Sequence, residues 1–219
     1  VLYYFPLEPY PERYTVQLSA PKTGWLESRW TEHGIPYSRI GPEAPPVRNQ
    51  AIQHGSVLDA CGRGVWACGQ VSQFLKRVQL GQVDSEDIIF FDDFWHPGIS
   101  ALPYAFHLIG IRPKMYAFLY AQSIDPFDFT YPMRDWMRHF EKGTGAILDG
   151  IFVTSTMLRD MVIHAGIGTP EKVHVIGLLY NSDEVKTHFP AVLPERKRQV
   201  IWSSRWDQEK CPEHFIQIV

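Results

Sequence analysis

The stretch Asp92-Asp93-Phe94-Trp95-His96-Pro97-Gly98 puts two carboxylates, aromatic rings and an imidazole directly after an apolar run. Such a group can orient a hydroxyl, take its proton, and stack a sugar or a base on an aromatic face. Asp93 and His96 are the candidates for that chemistry. The structural alternatives are an aspartate that caps a helix and a histidine that only makes a turn before Pro97. Gln122, Ser123 and Asp125 follow the next apolar run and could hydrogen-bond a sugar; the alternative is a polar turn fixed by Pro126. Near the start, Glu12, Arg13 and Tyr14 lead to Lys22-Thr23-Gly24. Gly24 is expected to open a helix whose free N–H groups meet a phosphate or a sugar hydroxyl, against the plainer reading of a long loop. Near the end, Arg205 and Lys210 set two cations where a helix should begin, which suits a diphosphate.

These residues need a scaffold, and the apolar pattern supplies one. Short continuous apolar runs at 1–5, 87–93, 115–121, 147–155 and 172–176 read as buried parallel strands, with a short strand opening near Tyr37. Helical spacing at 25–30, 65–82, 101–110 and 156–165 separates them. Strands alternating with helices predict an α/β fold, a Rossmann-like doubly wound parallel sheet, in which ligands sit at the carboxyl ends of the strands. His107, His164 and His174 fall inside elements and read as structural. Trp136, Trp202 and Trp206 read as core or interface aromatics. A basic, proline-bounded stretch then leads into a new apolar strand at 200–203. The expected organisation is a domain over 1–190, a linker at 191–198, and the opening of a second Rossmann-like domain at 199–219.

Composition narrows the class. The chain has 219 residues, 45% hydrophobic and 21% charged, with a formal charge of -3. That is enough for one sizeable core, and the charge gives no reason to expect tight non-specific binding to nucleic acid. Cys61, Cys68 and Cys211 show no zinc or disulfide spacing and read as reduced thiols, which points to the cytoplasm. The apolar start at 1–5 is too short for a signal peptide or a membrane span.

Taken together, the motifs resemble the retaining GT-B glycosyltransferases, which use nucleotide sugars. The resemblance rests on Ile147-Leu148-Asp149-Gly150-Ile151-Phe152-Val153-Thr154-Ser155-Thr156, then Arg159-Asp160, Gly166 and Lys172-Val173-His174-Val175-Ile176-Gly177, which look like the last strand, helix and strand before the interdomain linker. Val200-Ile201-Trp202-Ser203-Ser204-Arg205 with Lys210 is similar to the opening of the donor domain. The resemblance implies that Arg205, Lys210 and the Gly24 loop hold the donor diphosphate. It places the acceptor contacts (Glu12, Arg13, Tyr14, Lys22, Trp95, Gln122) and catalytic candidates (Asp93, His96, Asp125) in the loops at the strand ends. It implies a nucleotide-sugar substrate such as UDP-glucose, no metal and no further cofactor. Two features depart from the family: its glycine pair in the first loop is reduced to Gly24, and the strand that often ends in its catalytic histidine here ends in Ala121-Gln122.

The expectation is therefore transfer of a hexose, glucose for preference, with retention to a hydroxyl acceptor. A glycan, a lipid-linked sugar and a modified DNA base, as used by some viral enzymes, all remain open as acceptors. Alone, the 219 residues are expected not to transfer sugar, because nearly all of the donor wall would lie beyond Val219. The competing reading is a non-catalytic Rossmann-like binding or assembly domain, which the departures from the family favour.

Overall fold

Continuous apolar strands can be satisfied only if both faces of the sheet are covered, and the computed structural model shows that arrangement. It describes residues 1–9, 14–41, 60–120, 122–126, 128, 130–179 and 212–218. The strands are β1 (Leu2–Phe5), β2 (Tyr37–Arg39), β3 (Ile88–Phe91), β4 (Lys114–Leu119), β5 (Gly150–Val153) and β6 (Val173–Val175). All pair in parallel, in the order β2-β1-β3-β4-β5-β6. The helices are α1 (Tyr14–Glu32), α2 (Ala60–Gln79), α3 (Gly98–Ile109), α4 (Arg134–Ile147), α5 (Thr156–His164) and α6 (Pro212–Ile218). This is the Rossmann-like doubly wound α/β fold that the apolar pattern implied.

Alternation along each strand divides the core. Tyr3, Phe5, Ile89, Phe91, Met115, Ala117, Leu119, Ile151 and Val153 pack on one face beneath α2, α3 and α5. Tyr4, Phe90 and Phe118 point to the other, where Trp25, Leu26 and Trp30 of α1 cover them. Right-handed crossovers explain the split: the chain moves one way from β1 to β2 and the opposite way from β3 onward, so α1 lands on one face and the later helices on the other. The reversal leaves a switch point between the carboxyl ends of β1 and β3.

Several boundaries differ from the expected ones. α1 runs through Pro21 and Gly24, where a loop and a helix start were expected. Packing of its apolar side onto Tyr4 and Phe90 overrides the weak local propensity of those residues. α4 occupies a stretch to which the apolar pattern assigned no element. Its buried side includes Glu141, Thr144 and Gly145 beside Met137, so the inward stripe does not read as hydrophobic. Gly145 is required there, since a Cβ would stand 1.7 Å from the Ile167 carbonyl oxygen. β5 begins only at Gly150, because α4 extends to Ile147. Asp149, expected within that strand, accepts the Met115 N–H at 2.8 Å and so ties β4 to the entry of β5. His107, His164 and His174 lie within α3, α5 and β6, as expected of structural residues.

The expected linker at 191–198 and strand at 200–203 lie outside the described residues, as does Cys211; α6 is the described part of the expected second domain. Cys61 and Cys68 are free, exposed thiols on α2. Among the described residues no helix is long and apolar enough to cross a membrane.

Candidate functional site

Beyond its last paired residue, β1 continues into Pro6, Leu7 and Glu8, and β3 continues into Asp92 and Asp93. Between them, at the switch point, opens a crevice of about 300 Å³. α2 forms one wall with Arg63, Gly64, Trp66, Ala67 and Gln70, and the segment after β3 forms another with Asp93, Trp95, His96 and Pro97. Met133 and Met137 close a further side.

Its charged group is a guanidinium between two carboxylates. Arg63 pairs with Asp93 through its terminal nitrogen and with Glu8 at 3.2 Å through Nε. Glu8 is almost fully buried, whereas the Arg63 and Asp93 side chains each keep 19% of their surface exposed toward the crevice. The other oxygen of Asp93 accepts the Trp95 N–H at 3.1 Å, a local turn that fixes the carboxylate in place.

His96 behaves differently from the acid–base residue expected of it. Its Nδ1 accepts the Gly98 N–H at 3.0 Å, which leaves the proton on Nε2 to be donated to Gln70 Oε1 at 2.9 Å. The Gln70 amide in turn donates to the carbonyls of Pro6 at 3.1 Å and Ile40 at 2.8 Å. The chain Gly98–His96–Gln70 thus latches the ends of β1, β2 and β3 together. Burial, with a smaller contribution from the Arg63 charge, lowers the His96 pKa to about 3, so the ring is neutral. Gly98 is needed beside it: a Cβ there would stand 2.9 Å from Nδ1. His96 therefore holds the crevice in shape and is not poised to accept a substrate proton.

The expected acceptor contact Lys22 lies on the opposite face of the sheet. Its ammonium is buried against Asp92 and the Tyr120 hydroxyl, and it sits 4.8 Å from the Tyr120 ring centroid. Tyr4 donates to the second Asp92 oxygen at 2.9 Å, and Tyr120 donates to the first at 3.1 Å. Burial lowers the Lys22 pKa while Asp92 opposes the shift, and the same burial with the Asp92 charge pushes Tyr4 well above its usual value. Gly24 stands in the interior of α1, so the free helix N-terminus expected there does not exist at that point. Tyr14 is the first residue of α1, while Glu12, Arg13, Arg205 and Lys210 lie outside the described residues.

The loop after β4 forms a third cluster. Both oxygens of the buried Glu141 accept from Ser123, one from its N–H and one from its hydroxyl, each at 2.7 Å. Burial raises the Glu141 pKa against the opposing effect of those bonds. The Trp95 indole N–H contributes a minor lowering to the same carboxylate, yet it is buried without a hydrogen-bond partner. Gln122 is buried beside Ser123, and Asp125 lies in the turn that follows; neither is among the residues that line the crevice.

Of the sequence candidates, then, Asp93, Trp95 and His96 meet at one crevice, and Lys22 and Gly24 do not join them. Sequence reasoning missed Glu8, Arg63, Gln70 and Glu141. Glu8 carried a usable signal, a carboxylate just past the first strand; Arg63 and Gln70 sit in a helix with no local mark of their partners.

Fold and crevice together define a Rossmann-like α/β domain with its candidate site at the topological switch point. No protein-family model matches the chain, and no curated protein matches it.

Proposed function

We propose that the chain is the acceptor-side domain of a retaining, nucleotide-sugar-dependent glycosyltransferase of the GT-B kind, with its acceptor hydroxyl bound at Asp93. The observation that carries this reading is the Glu8–Arg63–Asp93 group at the switch point, where open parallel sheets bind their ligands. Asp93 accepts a hydrogen bond from the acceptor hydroxyl and turns its oxygen toward the donor, and Arg63 keeps the carboxylate from swinging away. In the transfer, the hydroxyl oxygen bonds to the anomeric carbon on the same face from which the phosphate oxygen departs, so the configuration is retained as that bond breaks. The electron pair leaves with the nucleoside diphosphate, and the hydroxyl proton passes to Asp93. Arg205 and Lys210, by the resemblance, meet the negative charge that grows on the diphosphate.

The reading is tested on the whole enzyme with UDP-glucose and related nucleotide sugars, following release of the nucleoside diphosphate. Arg205→Ala or Lys210→Ala should each cost about 2 to 4 kcal/mol in donor use, the scale of one lost charge-stabilising donor. Failure to use any nucleotide sugar would end the transferase reading. A binding domain without transferase chemistry is the second reading, and one observation favours it: both ring nitrogens of His96 are engaged inside the protein.

A further inference from the structure

At the opposite edge of the sheet from the crevice, where β4 begins, the last turns of α3 and α4 frame a second cavity of about 550 Å³. Two glycines shape it. Gly110 takes a φ of 77° to end α3 and turn the chain toward β4, and Gly145 lets the last turn of α4 close on the Ile167 carbonyl. The gap that remains on the α3 side is floored by Phe106 and Met115, which are almost fully buried, and walled by Pro103, Ile111 and Ile147. Its apolar walls and its volume both fall within the range of small-molecule sites.

Charge at the rim selects among apolar ligands. Arg112 lines the cavity and keeps 68% of its side-chain surface exposed, while one of its nitrogens reaches Asp149 at 3.4 Å. A guanidinium carries several N–H donors in a planar fork, so it can receive a second carboxylate without leaving Asp149. Its place is fixed from the backbone, where the Arg112 N–H donates to Ser85 Oγ at 2.9 Å. A helix C-terminus ordinarily repels an anion. Here the Phe106 and His107 carbonyls accept the N–H groups of Ile111 and Gly110, and the Lys172 ammonium donates to the Ala146 carbonyl at 3.2 Å and to that of Gly145 at 3.5 Å. Ala146 belongs to the lining, so a second cation stands beside the same cavity. Together Arg112 and Lys172 outweigh Asp149, whose oxygen is also held by the Met115 N–H at 2.8 Å. We propose that the groove between the ends of α3 and α4 binds a medium-chain carboxylate, with its alkyl chain on Phe106, Met115 and Ile147 and its headgroup on Arg112. The site stands independently of the transferase reading, since it uses none of the residues at the switch point.

Octanoate, octylammonium and butyrate, titrated into the 219-residue chain at low salt and followed by ligand-observed NMR, test this. Octanoate should bind saturably and at least about tenfold tighter than either of the others, because octylammonium meets Arg112 with the wrong charge and butyrate lacks much of the apolar chain. Arg112→Gln should weaken octanoate at least about tenfold by removing the charge-assisted bond. Ala146→Trp should do the same by filling the groove from an exposed position at the end of α4. Arg138→Gln removes an exposed cation of α4 outside the lining and should leave binding unchanged. Denaturation curves check that each variant folds, and Arg112→Gln, a change at an exposed side chain, carries the test if Ala146→Trp does not. Equal affinity for octylammonium, the lack of saturable octanoate binding, or full binding in a folded Arg112→Gln or Ala146→Trp variant would overturn the proposal. So would a concentration-dependent dimer, followed by sedimentation, that Ala146→Trp breaks and octanoate leaves intact, for the groove would then belong to a second copy of the chain.

Discussion

Asp92 and Asp93 are neighbours in sequence and lie on opposite faces of the sheet. Strand alternation sends the Asp92 side chain under α1, where Lys22, Tyr4 and Tyr120 surround it and no surface remains exposed. It sends Asp93 under α2, where one guanidinium neutralises it and part of its surface faces a crevice. Both carboxylates are ion-paired and hydrogen-bonded, yet only one can meet a ligand. The comparison teaches that at the end of this parallel strand an acidic pair is divided by geometry into a sealed anchor and a carboxylate that keeps part of its surface at a crevice. Which is which depends on the helix overhead.

Breaking the anchor should have the largest effect on stability. Lys22→Met leaves Asp92 as a buried charge without its cation, and loss of one partner of such a pair typically costs about 3 to 5 kcal/mol. Chemical denaturation of the variant measures it. Replacing both partners, as in Lys22→Met with Asp92→Leu, should recover much of that loss, because the desolvation of two charges disappears along with their attraction. A single variant as stable as the parent would show that α1 does not rest on this pair.

The latch beside Asp93 gives the next effect, and it is one of pH. His96 is held near a pKa of about 3 in the fold, while an unfolded histidine titrates near about 6.5. Between those values the unfolded chain binds the extra proton, so stability rises with pH across that window and is fully present above it. From neutral pH down to about pH 5 this one group should remove about 2 kcal/mol. Denaturation curves across that range should show the slope in the parent and lose the His96 share of it in His96→Gln, even though that variant starts from a lower plateau. An unchanged slope in the variant would mean that the ring is not sealed as the Gln70 and Gly98 bonds imply.

The sheet was legible because its signal is local: runs such as Ile88–Phe91 can be little else than buried strands, and their ends place Asp93 correctly. α4 was not legible, since a stripe containing Glu141, Thr144 and Gly145 carries no apolar period. The site was half legible for a related reason. Asp93 follows directly from a strand end, but its partner Arg63 lies 30 residues away and the Gln70 that neutralises the role of His96 lies 26 away. A histidine next to aspartates looks the same in sequence whether it faces solvent or a buried amide. Lys22 misled because the loop expected around it is a helix, which turns a loop cation into a core ion pair.

The division between the two aspartates, and with it the transferase proposed above, is tested most directly by Asp93→Asn in a nucleotide-sugar assay, with sugar transfer and donor hydrolysis to water measured side by side. The substitution keeps the size of the side chain and removes the carboxylate to which the proposal gives the role of base. Transfer should therefore fall by about 10² to 10⁴ fold, the range for one lost acid–base group, while donor hydrolysis and folding stability stay near the parent's. Transfer at the parental rate would contradict the account and leave Asp93 as another structural carboxylate, no different in kind from Asp92.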